Sequence, residues 1–296
     1  GAPKVLVTTL EFMGYFFHKK HIPLWANVRY AVFDEVDRLV SGPERTFLER
    51  VKTMFLRATR AEGRKVQTIL VASTMPSQGT KSTRMLVGRW MPHALRALPR
   101  PDLLHRNHPM VHQSWKYMPE GFDAKVQVLV DYLKQYADPL KIDPPKRKGR
   151  FRNQKRQLEP RKWRLREKTL VYCNTGTTAV QLAELLATTH HFDEVGLFVS
   201  AAGYDERRER MQMLRDGRVR LMVCTDILSR GIDLPDIERV IQFDSSRNIV
   251  GHLHRIGRVS RAGTRGYALN MYDDSEQGGR ALAEAVQEIG SQPLDG

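Results

Sequence analysis

The stretch Tyr30–Val40, YAVFDEVDRLV, places three carboxylates, Asp34, Glu35 and Asp37, at the end of a short apolar run. In a parallel sheet, ligands gather at the carboxyl ends of strands. A carboxylate leaving a strand there can hold Mg²⁺ through water, which singles out Asp34. Its neighbour Glu35 can orient or deprotonate a water that attacks a phosphate. Asp37, three residues past Asp34, can face a neighbouring domain. The same acids also suit the first turn of a helix, where the macrodipole favours negative charge. The tetrapeptide alone therefore leaves both readings open.

A second constellation lies more than two hundred residues later. HLHRIGRVSRAG (252–263) carries His254, Arg255, Arg258 and Arg261. The arginine spacing of three predicts one basic face on a helix. Arginine suits bidentate phosphate recognition and stabilises charge in phosphoryl transfer; a solvated face of an amphipathic helix has the same spacing. The third is CTDILSRGIDLPD (224–236). Here a strand ends in Thr225–Asp226 and a turn carries Arg230–Gly231. Gly231 lets backbone approach a ligand closely, and Asp233 could bind a ribose hydroxyl.

These residues need strands to hold them. VLVTTL (5–10), YAVFDE (30–35) and VQTILVAST (66–74) read as strands, with a helix starting near Val36. Residues 98–111, rich in Pro and His, read as a linker between a first domain at 1–97 and a second at 112–296. The second series alternates strands with helices: DAKVQVLVDYLKQY helix, KTLVYCNT strand, TTAVQLAELLATT helix, EVGLFVS strand, DERRERMQMLRDG helix, then VRLMVCTD, RVIQFD and RGYALNMY as strands. Such alternation predicts an α/β fold built on parallel sheets. From Asp138 to Lys168 the series is interrupted by a basic, Pro-containing segment poor in aliphatic residues, read as a flexible insertion. It is either a solvated loop or a nucleic-acid arm, with Arg147, Arg150 and their neighbours on phosphates and Phe151 or Trp163 available for stacking.

Composition sets the class of partner. The 296 residues carry 48 Lys and Arg against 33 Asp and Glu, a net charge of +15, with a pI near 10.0. A polyanion follows: RNA, DNA or an anionic membrane surface. No apolar run approaches the roughly 20 residues that span a bilayer. Cys173 and Cys224 each sit inside a strand-like run, so they read as buried free thiols in a reducing compartment.

DEVD, LVYCNT, TDILSRGID and HRIGRVSR, in this order, resemble motifs of the DEAD-box ATP-dependent RNA helicases. The resemblance covers nearly the whole chain apart from the 138–168 insertion. It implies two RecA-like domains, the first beginning partway through, with the phosphate loop upstream of Gly1. It implies ATP and Mg²⁺ as cofactors: Asp34 acts on Mg²⁺, Glu35 is the catalytic base, Gly231 and Asp233 lie at the nucleotide, and Arg258 and Arg261 are fingers toward the γ-phosphate. Asp37, Ser73, Thr74, His254 and Arg255 fall among the residues that couple the domains. Thr8, Thr9, Asn174, Thr175, Arg207 and Thr225 match positions that hold the RNA backbone, where little base specificity is expected.

The chain also departs from the family. Ala72-Ser73-Thr74 stands where the family has Ser-Ala-Thr, which on a strand moves the hydroxyl to the other face. Thr9-Leu10-Glu11-Phe12 replaces Thr-Pro-Gly-Arg, Val259-Ser260 replaces Thr-Gly, and Val199 stands where a His is common. No GxxxxGK[ST] loop occurs in the sequence. Two functions follow from the resemblance. One is an RNA-dependent ATPase remodelling a large RNA, with ribosomal RNA in mitochondrial ribosome assembly as the expected case. The other is a helicase-shaped RNA-binding assembly factor without turnover. A DNA translocase is a third. Ribosomal or assembly proteins are the expected protein partners, no membrane is, and the mitochondrial matrix is the expected location, with nucleolus and cytosol as alternatives.

Overall fold

A computed structural model describes residues 4–10, 12–13, 28–41, 45–46, 48–53, 66–72, 74–75, 82–97, 110–118, 121–140, 162–229, 234, 237–260, 264–274 and 279–291. The chain divides into two compact units, Gly1–Leu104 and His105–Gly296.

The first unit contains strand β1 (Tyr30–Phe33), helix α1 (Val36–Ser41), strand β2 (Gln67–Leu70) and helix α2 (Thr83–Trp90). The two strands pair in parallel, Tyr30 beside Gln67 and Val32 beside Ile69. Alternation along β1 buries Ala31 and Phe33 and leaves Tyr30 and Val32 outside. The buried side packs with Val36, Val40, Leu48, Val51, Val87 and Trp90, and the Phe33 ring lies 5.8 Å from that of Trp90. The expected strand at 5–10 does not form. Residues 5–9 have no regular structure, and Val5, Leu6 and Val7 are exposed. Instead the Thr9 hydroxyl accepts from the Phe12 N–H at 3.2 Å, opening a helical turn. The N–H of Met13 donates to the Thr9 carbonyl at 3.0 Å. Hydroxyl capping of a turn competes with extension wherever Thr precedes helix formers. Thr8 and Thr9 therefore stand before a turn rather than at a strand end.

The second unit is a six-stranded, all-parallel sheet. Its strands, in spatial order, are β3 (Val111–Tyr117), β10 (Gly266–Tyr272), β9 (Arg239–Gln242), β6 (Thr169–Tyr172), β8 (Leu221–Cys224) and β7 (Val195–Phe198). Every residue of β6, β8 and β9 is buried, the mark of strands covered on both faces. Val171 and Cys173 point into one core with helices α3 (Phe122–Gln135) and α4 (Gly176–Thr188). Leu170 and Tyr172 point into the other with α5 (Tyr204–Arg215) and α6 (Ile249–Ile256). A last helix, α7 (Gly279–Ser291), follows β10. Cys173 and Cys224 are buried free thiols, as read from their strand context; burial pushes the Cys224 thiol well above its ordinary range. From β6 the chain crosses to the edge strand β7, returns inward to β8, then passes to the other side of β6 and runs outward through β9 and β10. Such a reversal opens a crevice at the carboxyl edge.

The 138–168 segment is not irregular throughout. Strands β4 (Ala137–Pro139) and β5 (Trp163–Leu165) pair antiparallel, with Pro139 opposite Trp163. Trp163 is no free stacking platform. Its backbone is tied to His191 and Asp193, and its half-buried ring packs against the core under the Lys134 ammonium, 5.5 Å from the centroid. Phe151, Arg147 and Arg150 lie outside the described residues.

Candidate functional site

In the first unit the three carboxylates occupy three environments. Asp34 is exposed just past β1, and one of its oxygens accepts the Glu35 N–H at 2.8 Å. Glu35 adopts φ 50°, a left-handed conformation uncommon for a residue with a Cβ and often found at functional sites. This single residue turns the chain from β1 into α1: the N–H of Val36 then donates to the Val71 carbonyl at 3.0 Å. Asp37, in the first turn of α1, is buried and accepts from the Thr74 hydroxyl at 2.5 Å. The first-turn reading is thus realised at Asp37, while Asp34 and Glu35 stand before the helix. Thr74 lies beyond the last residue of β2, Leu70. Strand alternation therefore does not reach Ala72 or Thr74, and Thr74 meets Asp37 despite the exchanged residues before it. Ser73 lies outside the described residues.

The second unit gathers its polar side chains at the carboxyl edge of the sheet. Arg255 is fully buried there. Its Nε donates to Asp226 Oδ1, one Nη to the Asp244 carbonyl and the other to Asn174 Oδ1, each at 2.7 Å. One guanidinium thus ties the ends of β6, β8 and β9 to α6, in the fork geometry for which arginine is suited. Beside it, buried Lys125 of α3 reaches Asp244 and Asp273, both at 3.3 Å, and Asp244 also accepts the Asn174 N–H at 2.8 Å. Gln242 adds a third layer, donating to His252 Nδ1 and Asn270 Oδ1 at 2.8 Å. Lys125, Gln242, Asp244, Asn270 and Asp273 were not singled out in the sequence. Their partners lie up to 157 residues away, beyond the reach of local spacing.

This network corrects two expectations. The helical face expected to join Arg255 to Arg258 does not form, because α6 ends at Ile256 and Gly257 caps it. Arg255 is inward and holds the sheet edge together. Arg258 follows in a turn, half-buried, with its Nε 3.4 Å from the His254 carbonyl. Gly266 makes that turn possible: a Cβ there would lie 2.7 Å from Val259. Ser260 takes φ 60°, a conformation glycine adopts freely, and its hydroxyl donates to the Thr264 carbonyl at 2.7 Å. The second correction concerns Asn174. Its amide donates to the Ser245 carbonyl at 2.9 Å and accepts from Arg255, so the side chain serves the protein rather than a ligand. Thr175, itself exposed, caps α4, accepting the Thr178 N–H at 3.0 Å. Arg207 on α5 and Thr225 after β8 are half-buried, and His254 is buried on α6. Gly231, Asp233 and Arg261 lie outside the described residues.

Asp34 fits water-mediated Mg²⁺ chemistry, being an exposed carboxylate with one oxygen turned to the backbone and the other left over. Among the described residues no group of three His, Cys, Asp or Glu could hold a metal.

Known proteins place this architecture. The helicase conserved C-terminal domain matches residues 154–263, beginning inside the segment expected to fall outside any resemblance. The fold resembles that of Dbp5 from S. cerevisiae bound to RNA and ADP BeF3, with TM-score 0.69 and 18% identity over 96% of this chain and 63% of that one. It also resembles Mss116p bound to ssRNA and AMP-PNP, with TM-score 0.65 and 15% identity over 98% and 56%. The two units have the RecA-like fold. In sequence, the DEAD-box ATP-dependent RNA helicase 22 of rice is 28% identical over 78% of this chain and 35% of its own length. SrmB of Escherichia coli is 27% identical over 83% and 46%. In sequence the chain is thus similar to DEAD-box RNA helicases over most of its length. It spans about a third to a half of the curated relatives it matches.

Proposed function

We propose that this chain forms part of an ATP-dependent RNA helicase that remodels a large structured RNA. The observation that carries the reading is the Asp34–Glu35–Asp37 turn, held by the left-handed Glu35 and the Thr74–Asp37 bond. Asp34 would hold Mg²⁺ through water, and the ion would neutralise charge on ATP phosphates. Glu35 would take the proton of the attacking water. Arg258, with Arg261, would meet the γ-phosphate, and Arg255 positions them by anchoring α6. RNA would be held by its backbone at Thr175, Arg207 and Thr225. Ribosomal RNA in mitochondrial ribosome assembly is the substrate supported by the +15 charge, the arginine content and the basic 138–168 segment. A non-hydrolysing RNA-binding assembly factor is the second reading, favoured by the Ala72-Ser73-Thr74 exchange.

RNA-stimulated ATP hydrolysis by the full-length protein decides between them. The parent should hydrolyse ATP, and Glu35→Gln should lose about 10²–10⁴-fold in turnover, the scale of a general base. RNA binding with no hydrolysis in either protein would overturn the first reading and leave the second.

A further inference from the structure

The acidic turn and the carboxyl-edge network leave one charged surface of the first unit unused. Arg84 and Arg89 on α2, and Arg96 just beyond it, line an open cavity of about 400 Å³ with Met85 and Gly88. All three arginines are exposed, and among the described residues none of their side chains has a hydrogen bond or an ion pair. Arg89 also lines an adjoining hollow of about 90 Å³ with Arg45, Lys52 and Glu49. The combined surface presents five cations against one carboxylate.

Gly88 forms the floor. A glycine inside a helix is less favourable than alanine. Packing does not demand it here, because a Cβ would meet only the Arg96 guanidinium, at an ordinary 3.5 Å. What the missing side chain leaves is open volume between three guanidinium groups. The helix that carries them is well anchored: Ser82 caps it by accepting the Met85 N–H, and Val87 and Trp90 are buried on its inner face. Unpaired guanidinium groups on a rigid support, opening on a hollow of this size, suit tetrahedral oxyanions.

We propose that Arg84, Arg89 and Arg96 form an accessory site for RNA phosphates on the first unit, separate from the acidic turn. The inference rests on the RNA-helicase reading. It assigns part of the salt-dependent affinity to a surface that carries none of the residues matched to the family's motifs. Its function is to hold a flanking stretch of RNA by the backbone while the motif residues act elsewhere on the same molecule.

The test is the salt dependence of oligouridylate binding by the full-length protein, without nucleotide. Two variants are compared with the parent: Arg84→Gln/Arg89→Gln/Arg96→Gln and the corresponding triple lysine variant. Each neutralised phosphate contact contributes about 0.7 to the slope of log K against log salt for a single strand. The triple Gln variant should lose about 2 from that slope, while the lysine variant, which keeps the charge, should keep the parent slope. An unchanged slope in the triple Gln variant overturns the site and leaves the helicase reading standing. A lysine variant as shallow as the Gln variant overturns the charge argument. No oligouridylate binding by the parent overturns the RNA reading, and the site with it.

Discussion

His252 is 1% exposed, its ring stacked on Trp115 at 5.3 Å between centroids. The Gln242 amide donates to its Nδ1, so the ring carries its proton on Nε2. A second proton would set N–H against N–H there, close to the buried Arg255 charge. Burial first, then Arg255, lower its pKa from an ordinary 6.5 to about 3. Between those values the unfolded chain binds a proton that the folded chain refuses, so stability is complete above about 6.5 and falls as pH drops toward 3. From pH 7 to 5 the loss from this one group is about 2 kcal/mol. His252→Asn keeps an acceptor for Gln242 and removes the titration. Urea unfolding at pH 7 and 5 should show the parent losing about 2 kcal/mol more than the variant; equal losses would mean that His252 is protonated in the fold. Neither the burial nor the tautomer was legible in HLHRIGR. The motif marked His254, Arg255 and Arg258 by type, but which of them faces inward depends on Asp226, Asn174 and Asp244, placed by other strands.

At the scale of elements, β4 and β5 limit what the basic segment can be. The Leu140 N–H donates to the Lys162 carbonyl at 2.8 Å, so the chain leaves and returns at adjacent points of one ladder. A two-residue turn can join such ends. Replacing 141–161 by Asn-Gly should leave the second unit folded and raise its stability by no more than about 2 kcal/mol, since loop length enters only logarithmically, at about 0.6 kcal/mol per halving. The deletion removes Arg147, Arg150 and the basic residues around them. RNA affinity should therefore fall and its salt slope become shallower. Unchanged affinity would remove the nucleic-acid arm from the proposal, and loss of folding would show that the ladder needs the intervening residues. Composition set this segment apart from the strands and helices around it, because a run so poor in aliphatic residues cannot fill a core. It could not show that the ends pair, since three-residue strands such as WRL carry too little periodicity to be read. The long elements were legible for the opposite reason. Runs such as LVYC and LMVC are apolar throughout and bounded by polar turns, and TTAVQLAELLATT repeats at helical spacing.

At the scale of the molecule, the two units differ in how fully they cover their sheets. The second buries β6, β8 and β9 completely, with helices on both faces. The first pairs two strands, and one face of that sheet leaves Tyr30 68%, Val32 63%, Ile69 42% and Val71 45% exposed. The sequence showed apolar runs at both places, and the runs alone do not reveal which of their residues find cover. Two strands with one packed face are marginal in water, and parallel sheets are stable where both faces are covered. The two units should therefore behave differently when expressed apart. Residues 105–296 should unfold cooperatively in urea, with one transition by both circular dichroism and tryptophan fluorescence. Residues 1–104 should show no cooperative transition and should bind a hydrophobic dye through the Tyr30–Val32–Ile69–Val71 face. A cooperative transition in 1–104 without dye binding would mean that residues beyond β1 and β2 cover this face, and that the acidic turn at Asp34–Glu35 can be studied on the isolated unit.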